Sequence, residues 1–284
     1  MRTPSIAPTF AFALLALAPL ASAACQTKVC TAYEAAAGGE NNVAPAGFTN
    51  LFDGKTIDFE KTWTGAEHGV IDPRHVASMK PEDKAKYYAR QMESAKQGWH
   101  ADAEKGEIVS DGHHAHLATQ KFYGDFEFKV DYKIQPNGDS GIYLRGCPQV
   151  QIWDPANPKE VGNGVKKGSG GLWNNNGDNP GKWPLVLADS PIGEWNRMDI
   201  KMVGQRVWVT LNGKVTVNGS KLDNYFKREI PVLDAENIQL QTPGSEVRFR
   251  NLFVREIGAE EGKKLTDSVK PEADAPAKYP KMKR

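Results

Sequence analysis

From Gly141 to Asp154 the chain reads GIYLRGCPQVQIWD, and its alternate residues are of types that handle sugars. Successive side chains of a strand point to opposite faces. Ile142 and Leu144 therefore share one face, and Tyr143 and Arg145 the other. Val150 and Ile152 likewise oppose Gln149, Gln151 and Trp153. A merely solvated face would carry Lys, Glu, Thr and Ser. Tyr, Arg, Gln and Trp instead offer rings for the C–H faces of a sugar and amides that both donate to and accept from hydroxyls.

Ordinary glycoside hydrolysis uses two carboxyl groups flanking the bond. Asp139 and Asp154 are the nearest candidates by motif, but no convincing pair is legible. Each also has a structural role open to it. Asp139 sits in the turn-forming run Asn137-Gly138-Asp139-Ser140-Gly141, and Asp154 precedes Pro155 and can cap a turn. Downstream, Gly162–Gly181 is a long Gly/Asn-rich loop. Its Gly168–Asn176 segment lacks the Gly-Lys-Ser/Thr ending and the strand–helix setting of a phosphate loop. Long ordered loops are often functional, which makes Trp173 and Asn174 candidate substrate contacts. Trp173 has two roles open, stacking on substrate or closing the core.

His113, His114 and His116 form an H-H-x-H set, a pattern that can suit a transition metal. Following Asp111-Gly112, they read instead as a surface turn, and no metal site is assigned. Calcium held by Asp and Asn oxygens stays open, although no twelve-residue calcium loop is present. No other cofactor is expected. Cys147 would need a base to act as a nucleophile, and none is legible beside it, so it reads as a packed thiol.

Positioning these residues requires strands. Phe126, Phe128, Val130, Tyr132 and Ile134 alternate with Asp125, Glu127, Lys129, Asp131 and Lys133, the mark of a strand with one buried face. Strands are predicted over Gly106–Ser110, His116–Ala118, Asp125–Ile134, Gly141–Arg145, Gln149–Trp153, Arg197–Val203, Arg206–Leu211, Lys214–Val217, Ile238–Gln241 and Glu246–Ile257. Asn212-Gly213 is a strong two-residue hairpin signal. The alternation slips phase around Asn251, which predicts a bulge. About ten antiparallel strands with short turns describe an all-β, two-sheet sandwich. One helix interrupts it: Pro81-Glu82-Asp83 opens it and Gly98 stops it. Ala85, Tyr88, Ala89, Met92 and Ala95 are its expected packing stripe.

The chain has 284 residues and a formal net charge of +1, which gives no reason to expect nucleic acid or an anionic membrane as a partner. Arg2, the apolar run Phe10–Leu20 and Ala21-Ser22-Ala23 read as an export signal over residues 1–23. The apolar run is too short for a stable transmembrane helix. A periplasmic or secreted protein is expected. Lipid attachment at Cys25 is the alternative processing, and the one expected route to a membrane. With Cys25, Cys30 and Cys147 the cysteine count is odd. Residues 24–46 read as a flexible linker, 47–257 as the domain with a helical insertion at about 80–97, and 258–284 as a disordered polar tail.

From about Phe48 to Ile257 the chain resembles the 3-keto-disaccharide hydrolase domain family. The resemblance rests on Leu51-Phe52-Asp53-Gly54-Lys55, Tyr123-Gly124-Asp125-Phe126-Glu127, Asp139-Ser140-Gly141-Ile142-Tyr143-Leu144-Arg145-Gly146 and Val150-Gln151-Ile152. Gly193-Glu194-Trp195-Asn196, Leu211-Asn212-Gly213 and Phe249-Arg250-Asn251 complete it. Many members carry Glu immediately before Val-Gln-Ile, where this chain has Gln149, and the insertion from about Ile71 to Gly98 is not part of the common core. The resemblance implies a concanavalin-like sandwich, a glycoside or oligosaccharide substrate, and cleavage of sugars oxidised at C3. A ketone there acidifies the C2 hydrogen, so one base can start an elimination. On that reading Asp154 is the first choice of base, with His116 and Lys121 as fallbacks. Arg145 is the partner of the developing enolate, and Arg145→Ala should then abolish turnover in an intact fold. The alternative function is a carbohydrate-binding module without catalysis, using the same face.

Overall fold

The computed structural model describes residues 41–177, 179–242, 244–270 and 274. The export signal, Cys25, Cys30, most of the linker and the far tail lie outside the described residues. In chain order the elements are β1 (Thr49–Asn50), β2 (Trp63–Ala66), α1 (Pro73–Ser78), α2 (Pro81–Gly98), β3 (Trp99–Asp102), β4 (Glu107–Ser110), β5 (His116–Thr119) and β6 (Phe126–Ile134). They continue with β7 (Asp139–Leu144), β8 (Cys147–Trp153), β9 (Asn196–Val203), β10 (Arg206–Leu211), β11 (Lys214–Lys221), β12 (Gln239–Leu240), β13 (Val247–Glu256) and α3 (Ala259–Asp267).

The alternation in β6 produces its two faces. Phe126, Phe128, Val130, Tyr132 and Ile134 enter the core. On the outer face, antiparallel register sets opposite charges across from each other: Asp131 lies opposite both Arg197 and Arg250, Lys129 opposite Asp199, and Glu127 opposite Lys201 and Arg255. Cross-strand pairs of this kind favour the register that makes them. Asp131 is fully buried and receives Arg197 Nε at 2.7 Å and Asn251 Nδ2 at 2.6 Å.

Among the described residues, thirteen strands form two antiparallel sheets, ordered β11-β10-β9-β6-β13-β4-β3, with β1 on β13, and β2-β5-β12-β7-β8. The all-β two-sheet sandwich expected from the sequence is therefore the observed fold. Asn251 takes a φ of 55° where the β13–β6 register shifts, between Arg250 and Phe253, so the predicted bulge is there. Asn251 and Asn42 bind each other reciprocally: Asn42 N donates to Asn251 Oδ1 at 2.6 Å, and Asn251 N to Asn42 Oδ1 at 3.0 Å. The end of the presumed linker is thus tied to the sandwich. The presumed disordered tail begins as α3, held where Glu261 accepts from Arg255 at 2.6 Å.

The inserted helix α2 follows the predicted bounds, but its buried stripe differs. Tyr87, Gln91, Ala95 and Gly98 are buried, while Ala85, Tyr88 and Ala89 are exposed. The cause is a close backbone approach: a Cβ on Gly65 of β2 would lie 1.8 Å from the Gln91 carbonyl oxygen. The helix packs against edge strand β2 and leads directly into β3, the edge of the other sheet.

Arg145 is not where strand alternation placed it. Leu144 pairs with Cys147, so Arg145-Gly146 is the two-residue loop of the β7–β8 hairpin, and both residues have positive φ (52° and 67°). That is the requirement of a type I′ turn. The turn swings the guanidinium away from the open face of the sheet. It donates to the carbonyls of Gly124 (2.7 Å), Gly204 (2.8 Å) and Leu233 (3.2 Å) and to Asp125 Oδ1 (3.0 Å). With its side chain 1% exposed, it ties the hairpin to the other sheet. Arg145→Ala is accordingly expected to lower stability by about 3–5 kcal/mol, the usual effect of breaking a buried charge network. A fall in the denaturant midpoint of the variant checks this.

Candidate sugar-binding cleft

The open face of the β7–β8 hairpin floors a cleft of about 200 Å³. Asp139, Tyr143, Gln149, Gln151 and Trp153 line it from the two strands, joined by Gln241 just beyond β12. These strand residues are in phase, while Ile142, Leu144, Val150 and Ile152 go to the core. Gly141 leaves room for the floor: a Cβ there would meet the Gln149 side-chain amide at 2.8 Å. Gln149 Nε2 donates to Gln151 Oε1 at 2.5 Å, and Gln151 Nε2 donates to Asp139 Oδ1 at 2.6 Å. The result is a polar line across the floor ending in a carboxylate.

The walls come from loops. Gln151 exchanges backbone hydrogen bonds with Gly170 and Gly171, so the Gly/Asn loop lies along the free side of β8. Its Trp173 packs edge-on to Trp153 at 6.1 Å and, with Asn174, faces the cleft. Trp153 is fixed by Nε1 donating to Gly168 O at 2.7 Å. Glu160, Tyr225 and Val70 complete the lining. Behind Tyr225, the buried Cys147 accepts its backbone N–H at 3.5 Å, and burial pushes the thiol up to about 11. Cys147 props the cleft as a neutral group.

Half-buried Asp139 has an altered proton affinity. Burial pushes its carboxyl up to about 6; the Gln151 hydrogen bond opposes this, and the Glu160 carboxylate adds to it. Burial also raises the Tyr143 phenol, with Tyr225 and Asp139 acting in the same direction. The cleft thus offers a carboxylate that exchanges its proton near neutrality, two phenols, a second carboxyl group and four amides.

Of the residues singled out in the sequence, Asp139, Tyr143, Gln149, Gln151, Trp153, Trp173 and Asn174 come together here. Asp154, Arg145, His116 and Lys121 do not. Asp154 is out of phase with Gln149, Gln151 and Trp153. It caps a turn, with Oδ2 accepting from Asn137 N and Oδ1 from Ala156 N, both at 2.8 Å. Lys121 is exposed and pairs with Glu256 at 2.9 Å. His116 is buried behind Tyr143 at 5.3 Å. Its Nδ1 accepts from Thr242 N at 3.0 Å, which leaves Nε2 to donate to Gly69 O at 3.0 Å. Burial holds it down to about 4, so it is a neutral support rather than a base. His113 is exposed and His114 bonds Asp111 at 2.6 Å. Among the described residues no three or more His, Cys, Asp and Glu side chains gather as a metal site. Glu160 and Tyr225 carried no strand phase or motif that would have singled them out.

The two-sheet sandwich and its aromatic-walled polar cleft are those of a carbohydrate-active domain family. The profile of the 3-keto-alpha-glucoside-1,2-lyase-like domain family matches residues 47–255, and the chain belongs to that family. A provisionally assigned glycosyl hydrolase of Parabacteroides distasonis ATCC 8503 superposes with a TM-score of 0.52 at 19% identity, covering 77% of this chain and 100% of that one. A second from the same organism gives 0.43 at 24% identity, over 57% and 91%. No curated protein matches.

Two outcomes follow. Trp173→Ala should weaken glycoside binding several-fold, the scale of one aromatic contact, with calorimetric titration as the measure. The second concerns acid stability. Folded His116 refuses a proton that the unfolded chain accepts below 6.5. Its contribution is therefore full above that pH and is lost as pH falls toward about 4. Asp139 acts oppositely, contributing below its ordinary 3.8 and losing that as pH rises through about 6. His116→Gln should flatten the acid-side decline in a pH series of urea unfolding.

Proposed function

We propose that the cleft binds a glycoside oxidised at C3 of one sugar and cleaves it by 1,2-elimination, with Asp139 as the base. The observation that carries this is the Asp139 carboxyl at the end of the floor, with an affinity of about 6 and one oxygen oriented by Gln151. A base titrating near the working pH combines availability with driving force.

The step balances as follows. Asp139 removes the C2 proton, and the electron pair moves toward the C3 carbonyl as an enolate. Tyr143 O–H and the amide of Gln149 donate to that oxygen. The enolate collapses, the C1–O bond breaks with its electron pair on the departing oxygen, and a C1=C2 enone remains. The proton taken up by Asp139, or one from water in the open cleft, goes to the departing oxygen. Water adding at C1, with a proton returning to C2, completes net hydrolysis. The family description as lyase-like supports the elimination arm. Two ordinary glycosidase carboxyls are not required, which suits a floor where Gln149 is neutral.

Purified protein incubated with a 3-keto-disaccharide should release free sugar or enone. Its kcat/KM should fall as pH drops through about 6, because protonated Asp139 is no base. Asp139→Asn should lose about 100- to 10,000-fold in rate and keep binding. A near-normal rate in that variant removes Asp139 from the chemistry. Saturable binding without turnover by the unaltered protein would establish a binding module instead.

A further inference from the structure

Just beyond the Gly/Asn loop that walls the cleft the chain runs Trp183-Pro184-Leu185-Val186-Leu187, five successive apolar residues. Leu185 is 62% exposed and Leu187 53%. Leu185 N donates to Thr216 O at 2.8 Å, which sets this segment against β11 and beside Val215, itself 48% exposed. Leu187 is packed against Gly168, and Trp153 of the cleft bonds the Gly168 carbonyl. The apolar tip and the cleft are therefore two sides of one wall.

Two exposed lysines lie close in the chain to residues that this segment packs against. Exposed Lys214 precedes Val215, while Lys182, just before the five residues, turns its Nζ to the carbonyls of Trp173 at 2.6 Å and Asn175 at 2.9 Å. Exposed Lys166 flanks the packed Gly168, and Lys167 Nζ lies 3.6 Å over the Trp183 ring. The nearest acid in sequence, Asp189, turns inward and accepts from Ser169 N at 3.0 Å. A near-neutral chain thus carries a locally basic, apolar projection.

We propose that this tip docks on an anionic lipid surface, with Leu185, Val186, Leu187 and Val215 entering the headgroup boundary and the exposed Lys166 and Lys214 meeting the lipid charges. Apolar side chains ringed by lysines are what such a surface retains. Branched aliphatics lack the flat rings and two-sided hydrogen bonding that a sugar demands. A symmetric second copy would place lysines against lysines. Among the described residues no helix is long and apolar enough to cross a membrane, so the contact is peripheral. Docking here would hold the cleft wall at the membrane surface.

The test uses the chain without its apolar leader and with Cys25→Ser, so that neither leader nor lipid attachment mediates binding. It should co-sediment with phosphatidylcholine vesicles containing phosphatidylglycerol, and weakly or not at all with phosphatidylcholine alone. Leu185→Asp with Leu187→Asp should reduce binding at least tenfold, and Lys166→Glu with Lys214→Glu should reduce it and its salt dependence. All these side chains are exposed, so thermal midpoints should stay close to the parent's. Absence of binding to anionic vesicles, or equal binding by the leucine variant, overturns the proposal. So does a dimer in gel filtration that Leu185→Asp dissociates, since the tip would then serve a second copy.

Discussion

The guanidinium of Arg145 holds together the part of the molecule on which everything at the cleft rests. It is buried, stands at the tip of the β7–β8 hairpin, and reaches carbonyls from three separate segments of chain. Only arginine has the donor count and planar spread to satisfy them together. The hairpin is thereby fixed relative to the other sheet, and with it the height of the Asp139–Gln151–Gln149 line. Catalysis of any kind at that floor depends on placement to within fractions of an ångström. A residue outside the cleft sets the position of those inside it.

The proposed chemistry follows from what the floor withholds as much as from what it offers. A second strand carboxylate beside Asp139 would raise its proton affinity further and push it out of the range of a neutral-pH base. Amides at 149 and 151 instead orient one oxygen without adding charge. Glu160 enters from a loop and acts on Asp139 only at a distance. On the proposed mechanism, substrate grip and proton transfer are divided between aromatic walls and a single tuned carboxyl group.

Much of this was legible in residue alternation. The sandwich, the bulge at Asn251 and the cleft-facing set Tyr143, Gln149, Gln151 and Trp153 are consequences of a period of two. The same rule separates the two aspartates: Asp139 is in phase with Gly141 and Tyr143, whereas Asp154 is out of phase with Trp153. Its application failed at Arg145 because a two-residue turn interrupts the period, and arginine is not a residue that signals a left-handed conformation. Glu160 and Tyr225 were beyond reach for a different reason. Loops bring them in from other parts of the chain, and no local pattern encodes where a loop comes to rest. The stripe on α2 shifted because a glycine on the partner strand, not the helix itself, chose the contact.

That glycine contact has a further bearing on how the protein survives in company. Unpaired strand edges recruit other chains and seed aggregation. Here β2 is covered by the helix seated on Gly65, β8 by Gly170 and Gly171, and β11 by Leu185. Three of the four outer strands of the sandwich are thus closed to neighbours by segments that lie outside the sheets themselves. The insertion and the long loop, which look like ornaments on a common sandwich, act as its guards against self-association, and removing either would leave an open template.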